Sequence, residues 1–152
     1  MPKVVISDTS CLILFQNINE LQILKAVYGN IYTTPEVLAE YGSALPKWII
    51  IKKVQDKKYQ KLLETQIDKG EASAIALAFE INSDLILLDD LKARKLAKEL
   101  HLKITGTFGI ISKAKKLKII DKVKPLIEKI QKTNFRISKK IINEILRIND
   151  EL

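Results

Sequence analysis

Short apolar runs of strand length alternate with helix-length segments along the chain, and two of the runs stop on acid. VVIS, residues 4–7, runs into Asp8, and LILL, residues 85–88, runs into Asp89 and Asp90. Such alternation predicts an α/β fold with a parallel sheet covered on both faces. A strand that is apolar throughout belongs inside a sheet of that kind. Ligands of open parallel sheets bind outside the carboxyl ends of the strands. The acids therefore stand where a ligand would sit.

Residues 4–7, 31–33, 85–88 and 103–105 read as strands, and residues 48–54 as an edge strand or extended excursion. Residues 11–15, 21–28, 56–66, 71–81, 91–100, 110–117 and 122–132 read as helices. Thr34-Pro35-Glu36 begins another, with Thr as N-cap and Pro at the first position, and Gly42 stops it. Ser138 caps a last helix, with Ile137 and Ile142 spaced as a hydrophobic staple. EASAIALAFEI, residues 71–81, is small and apolar nearly all round, so that helix is buried. Asp68-Lys69-Gly70 reads as a break and Gly106-Thr107 as a tight turn. No repeat, low-complexity stretch or linker divides the chain, so residues 1–152 are expected to form one domain.

Composition narrows the chemistry. One cysteine, Cys11, allows no internal disulfide and reads as a buried hydrophobe of a reducing compartment. No apolar run has the length of a membrane span, and MPKVVIS enters a strand with no cleavage-site pattern, so a cytoplasmic, membrane-free protein is expected. With one histidine, His101, and one cysteine, the usual zinc site is excluded. No nucleophile elbow, P-loop or dinucleotide glycine fingerprint is present. The net charge of +8 is concentrated: residues 111–140 hold 11 basic residues against two acids, and the rest of the chain balances to −1. That block is either a polyanion-binding surface or a solvated lysine-rich face.

The acids differ in what else they could do. Asp8 could cap the helix after its strand, yet Ser10 could do so equally, which would leave Asp8 free. Asp89 and Asp90 are adjacent and cannot both cap. Asp90 precedes Arg94 by four residues, a favourable helix pair, which leaves Asp89 the less committed. Glu71 sits in the first turn of the buried helix, where the dipole favours an acid, but the small residues after it let that helix pack close to the sheet. Glu36 and Glu40 share one helix face, and the spacing does not choose between them. Carboxylates and hydroxyls converging at one edge suit a hard cation such as Mg²⁺.

Taken in order, VVISDTSCLILF, TTPEVLAEY, GEASAIALAFE, LILLDDLKARKLA and ITGTFGIISKAKK resemble the PIN-domain family, and more narrowly a prokaryotic branch related to VapC-type toxins. The resemblance covers about residues 1–125 and leaves 126–152 as a helical C-terminal extension. It implies a three-layer α/β/α sandwich around a mainly parallel sheet, with extra C-terminal helices. It implies catalytic acids at Asp8, Glu40, Glu71 and Asp89. Asp8, Glu71, Asp89 and Asp90 would hold Mg²⁺ or Mn²⁺, supported by Thr9, Ser10 and Thr107. The third acid is Glu71 where many members carry Asp, and LLDD stands where many have T-x-D.

The implied function is metal-dependent hydrolysis of RNA phosphodiesters by the toxin half of a toxin–antitoxin pair. RNA, an antitoxin protein and a second copy of the chain would be its partners. Lys113, Lys115, Lys116 and Lys118 would bind the RNA backbone. The alternative is a catalytically silent PIN-like module that binds nucleic acid. An aspartyl-phosphate mechanism on Asp8 is disfavoured, because Ser10 stands where a second acid would be needed.

Overall fold

In the computed structural model, which describes residues 4–152, strand β1 (Val5–Ser7) is wholly buried and lies at the centre of the sheet. The chain continues through α1 (Thr9–Asn17), α2 (Leu21–Tyr28), β2 (Ile31–Thr33), α3 (Pro35–Tyr41), β3 (Ile49–Ile51) and α4 (Lys57–Leu63). It then forms α5 (Lys69–Glu80), β4 (Leu85–Leu87), α6 (Leu91–Glu99), β5 (Ile104–Thr105), α7 (Thr107–Lys116), α8 (Lys124–Gln131) and α9 (Lys139–Ile148).

The five strands are all parallel, in the order β3-β2-β1-β4-β5. From β1 the chain builds outward through β2 to β3, then returns to the other side of β1 for β4. The sheet therefore has its topological switch between β1 and β4, where a crevice opens at the carboxyl ends. Ser7 is in register with Leu87, so the residues that follow both strands leave the sheet side by side.

Alternate residues of each strand point to opposite faces. Val5 and Leu87 join one core with Leu12, Phe15, Leu24 and Ile110. Ile6, Ile86 and Leu88 join the other with Ala74, Ile75 and Leu77 of α5. The first core is covered by α1, α2, α3, α7, α8 and α9, the second by α4, α5 and α6. This is the α/β/α sandwich expected from the sequence, with nine helices among the described residues. Leu126, Ile127, Ile130, Ile145 and Leu146 lie in the first core, so residues 126–152 complete a sheet face. No helix among the described residues is long and apolar enough to cross a membrane.

Three helices begin earlier than the sequence predicts, and each start has a physical cause. Helix α1 begins at Thr9 because Asp8 caps it: Cys11 N–H donates to Asp8 Oδ1 at 3.0 Å. Ser10, the rival cap, lies inside the helix and is exposed. Helix α5 begins at Lys69, so Gly70 is a helical residue and not part of a break. Helix α7 begins at Thr107, directly after Gly106, which has no side chain to cap it. Asp89 caps it from a distance: its Oδ1 accepts from the Thr107 N–H at 2.8 Å and its Oδ2 from the Thr107 hydroxyl at 2.6 Å. The extended run at residues 48–54 contracts to Ile49–Ile51, and it is an edge strand.

Candidate functional site

The carboxyl ends of β1 and β4 deliver Asp8 and Asp89 to the crevice, tied together at the backbone by Asp8 N–H donating to Leu87 O at 3.2 Å. Helix α3 packs against both α1 and α5. That packing brings Glu40 over the start of α5, where Glu40 Oε1 accepts from the Thr9 hydroxyl at 2.5 Å. Glu36, one turn earlier on α3, turns elsewhere: Gln60 Nε2 donates to it at 2.6 Å and Lys57 lies 3.5 Å away. Burial alone would raise the Glu36 carboxyl, but the Gln60 amide and the Lys57 ammonium hold it below its ordinary value. The pair that the sequence left open is thus split between two surroundings.

A cleft of about 580 Å³ gathers the acids, lined by Thr9, Ser10, Ile13, Glu40, Asp68, Glu71, Asp89, Asp90 and Phe135. Asp8 lies beneath it, 1 % exposed. One Asp8 oxygen caps α1, while Oδ2 is buried with no hydrogen-bond partner. Burial pushes the Asp8 carboxyl up to about 8; the Cys11 N–H opposes that rise, and Asp89, Glu71 and Asp90 add repulsion. Burial also lifts Glu71 to about 7, with Asp90, Asp68 and Glu40 repelling it and the Asp68 N–H acting against them. The Cys11 thiol is buried behind the site and pushed well above its ordinary range by burial and by Asp89 and Asp8, so it is no nucleophile.

Two glycines make room for the acids. A Cβ on Gly70 would lie 1.9 Å from Glu40 Oε1 and 3.0 Å from the Thr9 hydroxyl. A Cβ on Gly106 would lie 2.6 Å from Asp89 Oδ1 and 2.8 Å from Arg94 Nη1. Arg94 donates to Leu88 O at 2.8 Å, and Asp90 caps α6 by accepting from Ala93 N–H at 2.9 Å. The sequence paired Asp90 with Arg94 and left Asp89 uncommitted. The structure instead engages both oxygens of Asp89 with Thr107, because β5 carries Thr107 alongside the end of β4.

Among the described residues, no group of three acids, histidines or cysteines stands ready to enclose a metal ion. The donor chemistry still fits a hard divalent cation. Every polar group lining the cleft presents oxygen, and the buried Asp8 Oδ2 has no donor. None of the salt bridges among the described residues reaches Asp8, Glu40, Glu71, Asp89 or Asp90. Mg²⁺ keeps several waters and needs only one or two direct carboxylates, so a closed cage of side chains is not required.

The lysines fall differently. Helix α7 starts at the acids, and a rise of about 1.5 Å per residue carries Lys113 and Lys116 roughly 9–14 Å along it from Thr107. Lys113, Lys116 and Lys118 are exposed there. Lys115 is committed to the fold: its Nζ lies 2.8 Å from Glu151 Oε2 and also donates to Asn149 O. Nearer the acids, Lys53, Lys57 and Lys69 line a groove of about 480 Å³ that shares Glu40 with the cleft. Sequence spacing missed these lysines, and it missed Asp68, Ile13 and Phe135. Their places follow from how α1, α3, α5 and the α8–α9 connection pack, which has no local signature.

Curated proteins yield no significant match to the chain. A family profile described as PIN domain matches residues 4–151, well beyond the residues that carry the sequence motifs. With its all-parallel sheet and the acids at its switch point, the chain belongs to the PIN-domain family and has that family's nuclease-type fold.

Proposed function

We propose that the protein is a metal-dependent endoribonuclease whose active site is the cleft above Asp8. The observation that carries this is the buried, unpartnered Asp8 Oδ2 beneath a set of acids with no salt-bridge partner among the described residues. Asp8, Glu71, Asp89 and Asp90 would hold Mg²⁺ or Mn²⁺, and Glu40 completes the acidic set. When bound, such an ion orients and acidifies a water and stabilises a phosphate under attack.

The chain's own residues prepare that step. Thr107 fixes the plane of the Asp89 carboxylate through two hydrogen bonds. Thr9 holds Glu40 over the cleft, and Gly70 leaves it room. Glu71 is half-buried in the lining, where burial and the neighbouring acids raise its carboxyl, and a bound cation would relieve that repulsion. Ser10 is exposed at the rim and free to donate to a phosphate oxygen.

The VapC-type resemblance extends this reading to a toxin restrained by an antitoxin. Ile141, Ile148 and Leu152 are exposed apolar residues of the C-terminal region, which supports docking of an antitoxin or a second copy there. A silent RNA-binding module is the second reading, favoured by the exposed Lys113 and Lys116 of α7, which could hold an RNA backbone without the acids. The discriminating experiment is cleavage of single-stranded RNA with Mg²⁺ or Mn²⁺ by wild type, Asp8→Asn and Asp89→Asn. Cleavage by wild type should fall by at least about a hundredfold in each variant. Salt-sensitive binding without turnover in either metal supports the silent module, and equal activity in all three proteins removes the assigned acids.

A further inference from the structure

The cleft poses a problem for any RNA substrate. Acids line most of it, and they repel phosphate wherever no cation intervenes. Binding energy has to come from a part of the nucleotide that carries no charge. Phe135 and Ile13 are the apolar side chains in the lining.

Phe135 is held in place from two directions. Its ring meets Phe108 in a T-shaped contact, with centroids 6.0 Å apart and planes at 74°. Its backbone N–H donates to the Thr133 hydroxyl at 3.1 Å, and that hydroxyl donates to Ile130 O at 2.6 Å. A T-shaped contact occupies at most one face of a ring. Phe135 is half-buried, so part of it remains accessible, and it borders the cleft. Its chain neighbour Arg136 is exposed and positively charged.

We propose that Phe135 is a stacking platform for an unpaired base next to the phosphate addressed by the acids. This rests on the nuclease reading for its substrate, though not for its test. An aromatic ring stacks on any base, because every base has a π face. A duplex keeps its bases stacked on one another and offers none. Pure packing at this position would be met by any apolar side chain, so leucine separates the two roles.

The full chain serves for the test, with Ca²⁺ in place of Mg²⁺ so that binding is read without turnover. Trp48, the single tryptophan, is only 9 % exposed. Phe135→Trp therefore adds one accessible reporter. Its fluorescence should be quenched by a short oligoadenylate, and not by the paired duplex or by the strand with an abasic site at the stacking position. Phe135→Leu should bind oligoadenylate roughly tenfold more weakly than wild type. It should bind the abasic strand as wild type does and melt within a few degrees of it, the loss of the Phe108 ring contact being the only cost to the fold.

Equal quenching by all ligands, no quenching by any, or wild-type affinity in Phe135→Leu would overturn the platform. A chain that quenches and discriminates as stated but never cuts RNA removes the nuclease reading alone. A chain that cuts while Phe135→Leu binds normally removes the platform alone.

Discussion

Asp8 does two jobs with two oxygens: one caps α1 and the other is left buried without a donor. That arrangement costs stability, and its pH dependence has a definite sign. The Asp8 carboxyl ordinarily ionises near 3.8, and in the fold it is raised to about 8 by burial and neighbouring acids. Between those values the native chain keeps a proton that the unfolded chain has lost. Metal-free stability is therefore full below the ordinary value and falls as pH rises toward 8. Asn caps helices as well as Asp and carries no charge. Asp8→Asn should remove this share of the slope and leave that of Glu71, with Glu36 and Glu151, both lowered in the fold, acting in the opposite sense at acid pH. In EDTA at pH 8 the variant should be more stable than wild type by on the order of a few kcal/mol. Urea titrations across the pH range check this. Gly70 makes a second prediction at the same scale. Its added Cβ meets the tip of Glu40, a flexible side chain that can swing away. Alanine also favours a helix by up to about 1 kcal/mol over glycine. Gly70→Ala should therefore melt within a few degrees of wild type, while cleavage falls by about a hundredfold because Glu40 is displaced.

At the scale of elements, α7 depends on a cap supplied from β4. Thr107→Val keeps the shape of the side chain but removes the hydroxyl that donates to Asp89 Oδ2. Leaving that carboxylate oxygen short of a donor should cost about 1–3 kcal/mol, read as a lower urea midpoint. Hydrogen exchange should rise first in the opening turn of α7. The same contact explains how far the sequence could be read. Caps made by neighbours in the chain were legible: Thr34 accepts from Val37 N–H and Ser138 from Ile141 N–H, each with a side chain three residues away. So were the buried strands and the buried α5, because their patterns are local. The starts of α5 and α7 were not legible. Gly70 is required by Glu40 and Thr107 is held by Asp89, partners that only the folded sheet brings near. Arg94 was misread for a similar reason, since Leu88 O offers it an acceptor outside the helix register. The basic block was visible as charge, but its composition could not show that Glu151 takes Lys115 out of solvent-facing service.

At the scale of the molecule, the sheet order gathers the site. Placing β1 between β2 and β4 puts Asp8 and Asp89 side by side, and the packing of α3 and α5 adds Glu40 and Glu71. The result is a cleft whose acids repel one another, so a bound cation should stabilise the entire fold. The measurement that tests this most directly is the melting midpoint at pH 8, in EDTA and then with rising Mg²⁺ or Mn²⁺, for wild type and Asp8→Asn. Wild type should gain about 5–10 °C at a hundredfold excess over the dissociation constant, and Asp8→Asn should gain almost nothing. Equal gains in both proteins, or no gain in wild type, would contradict the assignment of the cleft as a cation site anchored on Asp8.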